Sequence, residues 1–336
     1  MRIALDAMGG DRAPEQIVKG AVEAVAELGL EVILVGRQSE IGLELDKIGR
    51  RSAGINACGA GVSVVHASEV VQMGEHPAMA VKQKQDSSVM VGMNLVKRRE
   101  ADAFVSAGNS GATMAAALMA LGRMEGVERP AIGALLPSLS GKVFILDVGA
   151  NTDCRPNYLV QFAYMGSLYM ERVCGIEKPR VGLLSIGSEE SKGNQLTQEV
   201  HGLLKVTDLN FVGNIEGNDI SSGKVDVVVT DGFTGNIVLK LSESLGRTIL
   251  KMIKGVIDGN FRYKMGALLL RPALKEATTL LDYTEYGGAP LLGVNGNVVI
   301  AHGHSDFKMI KNAVNSAKRV VEHNLLEAIT ISGKMI

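Results

Sequence analysis

A chain of 336 residues is long enough for one large α/β body or two lobes with a sizeable core. Hydrophobic residues at 46% and charged residues at 21% place it among globular chains. A net charge of −1 removes any global attraction to nucleic acid, and aromatics at 4% with no Trp leave no stacking platform for single strands. Three cysteines, Cys58, Cys154 and Cys174, form an odd set without CxxC spacing; they support neither a disulfide framework nor a zinc site and point to a reducing compartment. Met1–Asp6 lacks the long apolar core of a signal peptide, and no run of about 18 apolar residues occurs, so a cytoplasmic location is expected.

Taken in chain order, apolar runs alternate with helical periodicity. The predicted strands are Ile3–Ala7, Val32–Gly36, Val62–His66, Ala103–Ser106, Ile132–Leu136, Val143–Val148, Val181–Ile186, Phe211–Val212, Val225–Thr230 and Val298–Ala301. The predicted helices are Pro14–Leu28, Ser39–Ile48, Ala78–Arg99, Ala112–Met124, Tyr158–Val173, Gln195–Thr207, Gly235–Ile257 and Phe307–Leu326. This alternation is the signature of a doubly wound, mostly parallel sheet, and the continuously apolar strands suit burial on both faces. Only Pro137–Lys142 separates two of the strands, too short for a crossover helix, so a hairpin and a mixed sheet are expected there. No repeat or low-complexity linker interrupts the chain, which reads as a single α/β body over 1–336 with an amphipathic helical protrusion around 241–280. Gly49–Gly61 reads as a surface loop.

Ligands of open α/β sheets sit beyond the carboxyl ends of the strands. The strand ends here carry small polar turns: Asp6-Ala-Met-Gly-Gly-Asp11, Ser106-Ala-Gly-Asn-Ser-Gly-Ala-Thr113, Asp147-Val-Gly-Ala-Asn151, Ser185–Asn194, Thr230–Asn236 and Ala301-His-Gly-His-Ser305. All are expected to converge on one edge of the sheet; ordinary βα turns, which favour the same residues, are the alternative. The Ser106–Thr113 turn opens a helix, so its free N–H groups and the positive end of the helix dipole form an anion seat. Gly108 and Gly111 admit a ligand close to the backbone, and Ser106, Asn109, Ser110 and Thr113 add polar partners. GxxxxGK[ST], a GxGxxG after the first strand and GxSxG are absent, and no dense cluster of His, Cys or carboxylates occurs. No metal or cofactor is expected, no covalent nucleophile stands out, and inorganic phosphate or a phosphorylated group is the fitting ligand.

Asp6-Ala-Met-Gly-Gly-Asp-Arg-Ala-Pro14, Ser106-Ala-Gly-Asn-Ser-Gly-Ala112, Asp147-Val-Gly-Ala-Asn151, Leu184-Ser-Ile-Gly-Ser-Glu-Glu-Ser-Lys-Gly193, Asp231-Gly-Phe-Thr-Gly-Asn236 and Tyr286-Gly-Gly-Ala-Pro-Leu-Leu-Gly293 together resemble the bacterial PlsX family, the acyl-carrier-protein:phosphate acyltransferases, across essentially the whole chain. The resemblance implies a three-layer α/β/α, isocitrate/isopropylmalate-dehydrogenase-like fold and a homodimer. Its reaction is the attack of inorganic phosphate on the thioester of an acyl carrier protein, giving acyl phosphate for phospholipid synthesis without a covalent enzyme intermediate. The downstream partner it implies is the membrane glycerol-3-phosphate acyltransferase PlsY.

Under that reaction, phosphate is expected on Ser106, Gly108, Asn109, Ser110 and Gly111, assisted by Asn236. Lys192 is the expected cation for phosphate or the oxyanion, and His302 or His304 the group that protonates the leaving thiolate. Asp6, Asp11 and Asp231 are expected to orient loop N–H groups or lysines, in loops that also contribute Gly9, Gly10, Asn151, Ser185, Gly187, Gly232 and Gly235. The helical stretch Leu241, Leu245, Ile249, Met252, Ile253, Val256 and Ile257 with Arg247, Lys251 and Lys254, followed by Leu268, Leu269 and Leu270, has three readings: core or dimer interface, peripheral contact with the inner face of an anionic membrane, or a dock for the acidic carrier protein. Rival classes are a coenzyme-A-dependent phosphotransacetylase, a non-enzymatic phosphate- or lipid-binding regulator, and a nicotinamide-dependent decarboxylating dehydrogenase, the last disfavoured by the missing DxxxD aspartate pair.

Overall fold

The computed structural model describes residues 1–51, 61–273 and 287–333. Its strands are β1 (Arg2–Asp6), β2 (Glu31–Gly36), β3 (Val62–His66), β4 (Ala103–Ser106), β5 (Ala131–Ser138), β6 (Gly141–Leu146), β7 (Val181–Leu184), β8 (Phe211–Ile215), β9 (Val227–Val229), β10 (Ala289–Leu292) and β11 (Asn297–Ile300). They form one sheet in the order β3-β2-β1-β4-β11-β10-β5-β6-β9-β7-β8. β1, β4 and β9 are buried along most of their length, as strands covered on both faces must be, whereas β3 and the start of β8, the two edge strands, are largely accessible.

Alternate strand residues sort the helices into two layers. Ile132, Ala134 and Leu136 of β5 face one core, together with α3 (Pro77–Gln83), α4 (Ser88–Lys97) and α5 (Ser110–Ala120). The front layer also holds α8 (Asp219–Ser222) and the start of α9 (Gly232–Asp258). Ala131 and Leu135 face the opposite core, with α6 (Pro156–Arg172) and α7 (Gln195–Lys205). Helices α1 (Glu15–Leu28), α2 (Gln38–Arg51), α11 (Phe307–Glu322) and α12 (Leu325–Gly333) complete that back layer. The result is a three-layer α/β/α fold with a mostly parallel, mixed sheet. α10 (Phe261–Leu269) packs against α9.

The expected hairpin is β5–β6, closed by Leu139 and Ser140. Other expectations change. The strand ends do not share one edge: β10 runs antiparallel to both β11 and β5, and β5 antiparallel to β6, so β6, β9, β7 and β8 point opposite to β1–β4 and β11. The run Ala78–Arg99 is two helices. Ser87 breaks it by turning its hydroxyl back onto the Lys84 carbonyl (2.6 Å), while Asp86 accepts from Ser68 N–H (2.9 Å). Phe307–Leu326 ends as a helix at Glu322, where Asn324 takes a positive φ of 49°, and α12 starts anew. The helix over Ser39–Ile48 reaches Arg51, so Gly49–Arg51 are helical, and 52–60 with Cys58 lie outside the described residues. Tyr286 lies outside them as well, as does the part of the 241–280 stretch beyond Ala273.

Candidate active site

Three loops meet backbone on backbone at the ends of β1, β4 and β11. Gly10 makes this possible: its φ is +103°, and a Cβ there would lie 3.1 Å from the carbonyl oxygens of both Ala107 and Gly303. Asp11 N–H donates to the Gly303 carbonyl at 2.8 Å, and a Cβ on Gly9 would stand 2.8 Å from Gly108 N. Buried Asp6 accepts from Ser106 Oγ at 2.7 Å and from Met8 N–H at 3.1 Å, and Ser106 Oγ in turn accepts from Gly108 N–H at 3.0 Å. Burial pushes the Asp6 carboxyl up, and the donors around it hold it back. Asp6 and Ser106 therefore form the frame of the junction.

The first turn of α5 is built the same way. Asn109 Oδ1 caps Ala112 N–H (3.0 Å), its Nδ2 donates to the carbonyls of Met73 (2.9 Å) and Glu75 (3.3 Å), and Thr113 Oγ1 returns to the Asn109 carbonyl (3.1 Å). These side chains are committed to the chain itself. The N–H groups of Ser110 and Gly111 then stand at the positive end of α5, and Ser110 lines a cavity of about 620 Å³.

The opposite wall is α9, docked on the loop after β6. Asp147 is fully buried and gathers that loop, accepting from the N–H groups of Ile132 (3.1 Å), Ala150 (3.0 Å) and Asn151 (2.7 Å). Asn151 O accepts Gly232 N–H at 2.7 Å, and a Cβ on Gly235 would run into the Asp147 carbonyl oxygen. Asp231 caps α9 through Thr234 N–H and Oγ1, both at 2.8 Å. So anchored, α9 turns Asn236, Leu239, Lys240 and Glu243, spaced i, i+3, i+4 and i+7, toward the cavity.

Lys240, buried Glu243 and His302 form one cluster on that wall. Lys240 Nζ lies 3.1 Å from Glu243 Oε2 and 3.2 Å from His302 Nε2, with His302 Nε2 3.9 Å from Glu243 Oε2. Burial and then the Lys240 charge hold His302 below its ordinary value, with Glu243 opposing. His302 Nδ1 also faces His304 N–H at 3.3 Å. A neutral imidazole accepts at one nitrogen only, so the His304 N–H and the Lys240 ammonium compete for the acceptor position. His304 itself is paired with Asp11.

The cavity fills the gap in the front layer between α5 and α9. Its rim is polar, formed by Asp11, Ser110, Asn236 and the 302–305 turn; its floor is apolar, formed by Ile132, Ala134, Ala289 and Ile300. Loops from both strand directions reach it. Ser110 and the 302–305 turn come from one set of strand ends, Val148, Gly149 and the start of α9 from the other.

Of the residues singled out from sequence, Gly108, Ser110, Asp11, Asn236, His302 and His304 line the cavity. Asp6, Gly9, Gly10, Ser106, Asn109, Asn151, Asp231, Gly232 and Gly235 frame it. Ser185, Gly187 and Lys192 stand on the loop after β7, one strand beyond β9. Lys192 is exposed, its carbonyl faces Ser185 Oγ at 3.4 Å, and it is not among the lining residues. Lys240, the single Lys or Arg among the described lining residues, and Glu243 were not singled out: Lys240-Leu-Ser-Glu243 reads as an ordinary i,i+3 pair on a helix surface. Cys154 and Cys174 are half-buried beside the back core, and burial pushes the Cys154 thiol up to about 12. Among the described residues no group of three His, Cys, Asp or Glu side chains gathers to hold a metal ion.

Residues 1–328 match the model of a family described as fatty acid synthesis protein. The chain is 51% identical over 330 residues to a phosphate acyltransferase of Desulfitobacterium hafniense, covering 98% of this chain and 96% of that one. Among solved structures, a phosphotransacetylase from Streptococcus pyogenes superposes with a TM-score of 0.63 at 20% identity, over 95% of this chain and 94% of the other. A 4-hydroxythreonine-4-phosphate dehydrogenase from Klebsiella pneumoniae superposes at 0.55 and 13% identity, over 95% and 99%. The fold is thus shared by phosphotransacylases and dehydrogenases.

Proposed function

The chain belongs to the PlsX family of fatty acid synthesis proteins and is a phosphate acyltransferase; from this premise we propose that it moves a fatty acyl group from acyl carrier protein to inorganic phosphate in the cavity between α5 and α9. The observation that carries the reading is the meeting, in one cavity, of an open helix N-terminus, a lysine and a depressed histidine above an apolar floor. Inorganic phosphate loses its second proton near neutrality, so a substantial share of it is already dianion and needs little activation. It sits on the N–H groups of Ser110 and Gly111, faced by Asn236 and Lys240, and attacks the thioester carbonyl. The C–O bond forms, the oxyanion collapses and the C–S bond breaks. His302, neutral at the outset, takes the proton of the phosphate hydroxyl and passes it to the departing sulfur, so it acts as base before it acts as acid. Lys192, the cation expected from the sequence, stands exposed on the loop after β7 and outside the cavity lining, and is kept as a second cation for the test below.

Mixing the protein with phosphate and either acyl carrier protein or coenzyme A thioesters, and following thiol release and acyl hydroxamate, tests this directly. Acyl phosphate formed preferentially from the carrier-protein thioester is expected; preference for coenzyme A would make the protein a phosphotransacetylase instead. Lys192→Ala and Asn236→Ala are expected to lower turnover or raise the phosphate KM, and unchanged values in both remove these residues from the mechanism.

Among the described residues no helix is long and apolar enough to cross a membrane. Beyond Glu243, α9 buries no residue, and it carries exposed Leu241, Leu245, Ile249, Met252 and Val256 alongside Arg247, Lys251 and Lys254. We assign this helix and α10, with exposed Leu268, Leu269 and Leu270, to peripheral contact with an anionic membrane, where acyl phosphate passes to the glycerol-3-phosphate acyltransferase PlsY. The acidic carrier protein docks on the same basic positions, and a homodimer is the expected assembly.

A further inference from the structure

The phosphate chemistry uses the rim of the cavity and leaves its floor unexplained. On that floor Ile300 of β11 pairs with Ala289 of β10. β10 pairs with β5 so that Leu291 stands opposite Ile132, and the antiparallel register then sets Ala134 opposite Ala289. Side chains opposite one another share a face of the sheet. Ile300, Ala289 and Ala134 thus form one row across three strands, with Ile132 two residues before Ala134 on the same face. All four line the cavity, and Leu239 of α9 and Val148 border it. The two alanines are small, and Ile300 and Ile132 beside them are large, which makes a trough. No polar side chain lies on its bottom.

We propose that this trough holds the acyl chain and that Ala134 and Ala289 set the chain length the enzyme prefers, an inference that rests on the acyl-transfer reading above. A thioester whose carbonyl sits within about 3–3.5 Å of the phosphate oxygen has two arms to accommodate. The thiol arm runs to the carrier protein and leaves through the open mouth. The alkyl arm has no polar group, and the trough is the apolar surface continuous with the anion seat. A cavity of about 620 Å³ is of the size ligand sites take. Each methylene laid on the trough multiplies kcat/KM by about four until the trough is full, after which further carbons add nothing.

The test is kcat/KM at saturating phosphate for carrier-protein thioesters from butyryl to stearoyl. Wild type climbs with chain length and then levels off. Ala134→Leu fills the middle of the trough and levels off about three carbons earlier, Ala134→Val about two, and Ile132→Ala about three later, as the carbons added or removed dictate. The phosphate KM stays near wild type in all three, since the anion seat on α5 uses none of these side chains. Levelling at the same length in Ala134→Val and Ile132→Ala, both still turning over butyryl thioester, overturns the proposal even where Ala134→Leu fails to fold. A wild type that forms acyl phosphate from no thioester is a different result and overturns the acyl-transfer reading itself.

Discussion

At the scale of single residues the chemistry turns on how Lys240 and Glu243 bias His302. The lysine ammonium stands 3.2 Å from Nε2 and disfavours the imidazolium; the Glu243 carboxylate, 3.9 Å away and buried, favours it. His304, Arg247 and the burial of the ring act with the lysine. Since the ring is held below 6.5, its ordinary value, the rising limb of kcat/KM with pH lies below that value, when the phosphate dianion concentration is held constant. Lys240→Met removes the nearest positive charge and moves the limb up; Glu243→Gln removes the negative charge and moves it down. Lys240→Met also costs about a hundredfold in kcat, the scale of a lost oxyanion partner. A limb that stays put in both variants means that some group other than His302 titrates. The carboxylates illustrate what residue-level reading reaches. Asp6 and Asp231 were expected to orient loop N–H groups because a free carboxylate repels phosphate, and each is occupied in that way. Ser106 and Asn109 were expected on the anion, but Asp6 and the Met73 and Glu75 carbonyls take them. Which partner a short polar side chain selects is decided by neighbours far along the chain.

Elements were most legible where periodicity is long and least where a short polar break or a short strand intervenes. The period-3.6 pattern runs through Lys84–Ser87, and only the Ser87 hydroxyl on the Lys84 carbonyl and the tie from Asp86 to Ser68 show why the helix stops there. β10 was not predicted, because Ala289-Pro-Leu-Leu292 has four residues and a proline, which reads against a strand. α9 was predicted as amphipathic, but sequence could not divide its faces: its first turns wall the cavity while the remainder, with α10, exposes its apolar side. That exposed unit carries a prediction. Each leucine withdrawn from water contributes about 1.5–3 kcal/mol, so replacing Leu268, Leu269 and Leu270 together by Ser lowers binding to anionic liposomes by more than tenfold. Turnover of a soluble thioester changes little, since these side chains stand 62%, 82% and 59% exposed and outside the cavity. Equal liposome binding by wild type and the triple variant rejects the membrane assignment.

For the whole molecule, the three successive antiparallel pairings β11–β10–β5–β6, which leave the second half of the sheet pointing opposite to the first, decide where function sits. Strand order and direction are properties of pairing across long sequence separations, and no local pattern encodes them. The loops were therefore legible as a set, while the edge they were expected to share was not. One half of the sheet presents the α5 N-terminus, the other presents α9, and the cavity lies between. An anion seated there touches both halves at once and binds only the folded molecule, so it stabilises the fold by mass action. At a phosphate concentration about a hundredfold above its dissociation constant, the gain is about 2.7 kcal/mol. A chain of 336 residues has a larger unfolding entropy than small domains, which limits the rise in Tm to a few degrees. Asn236→Ala, on the α9 side, is expected to lose most of that rise while keeping the phosphate-free Tm, because Asn236 is not a cap; Lys240→Met is expected to lose the rise as well, from a lowered phosphate-free Tm, because it leaves buried Glu243 without its cation. Acyl-chain binding to the floor is a separate event, so the Ala134→Val variant keeps the full phosphate shift. A phosphate shift retained in both α9 variants would mean that α5 alone holds the anion, and that the second half of the sheet contributes to the thioester and not to the phosphate.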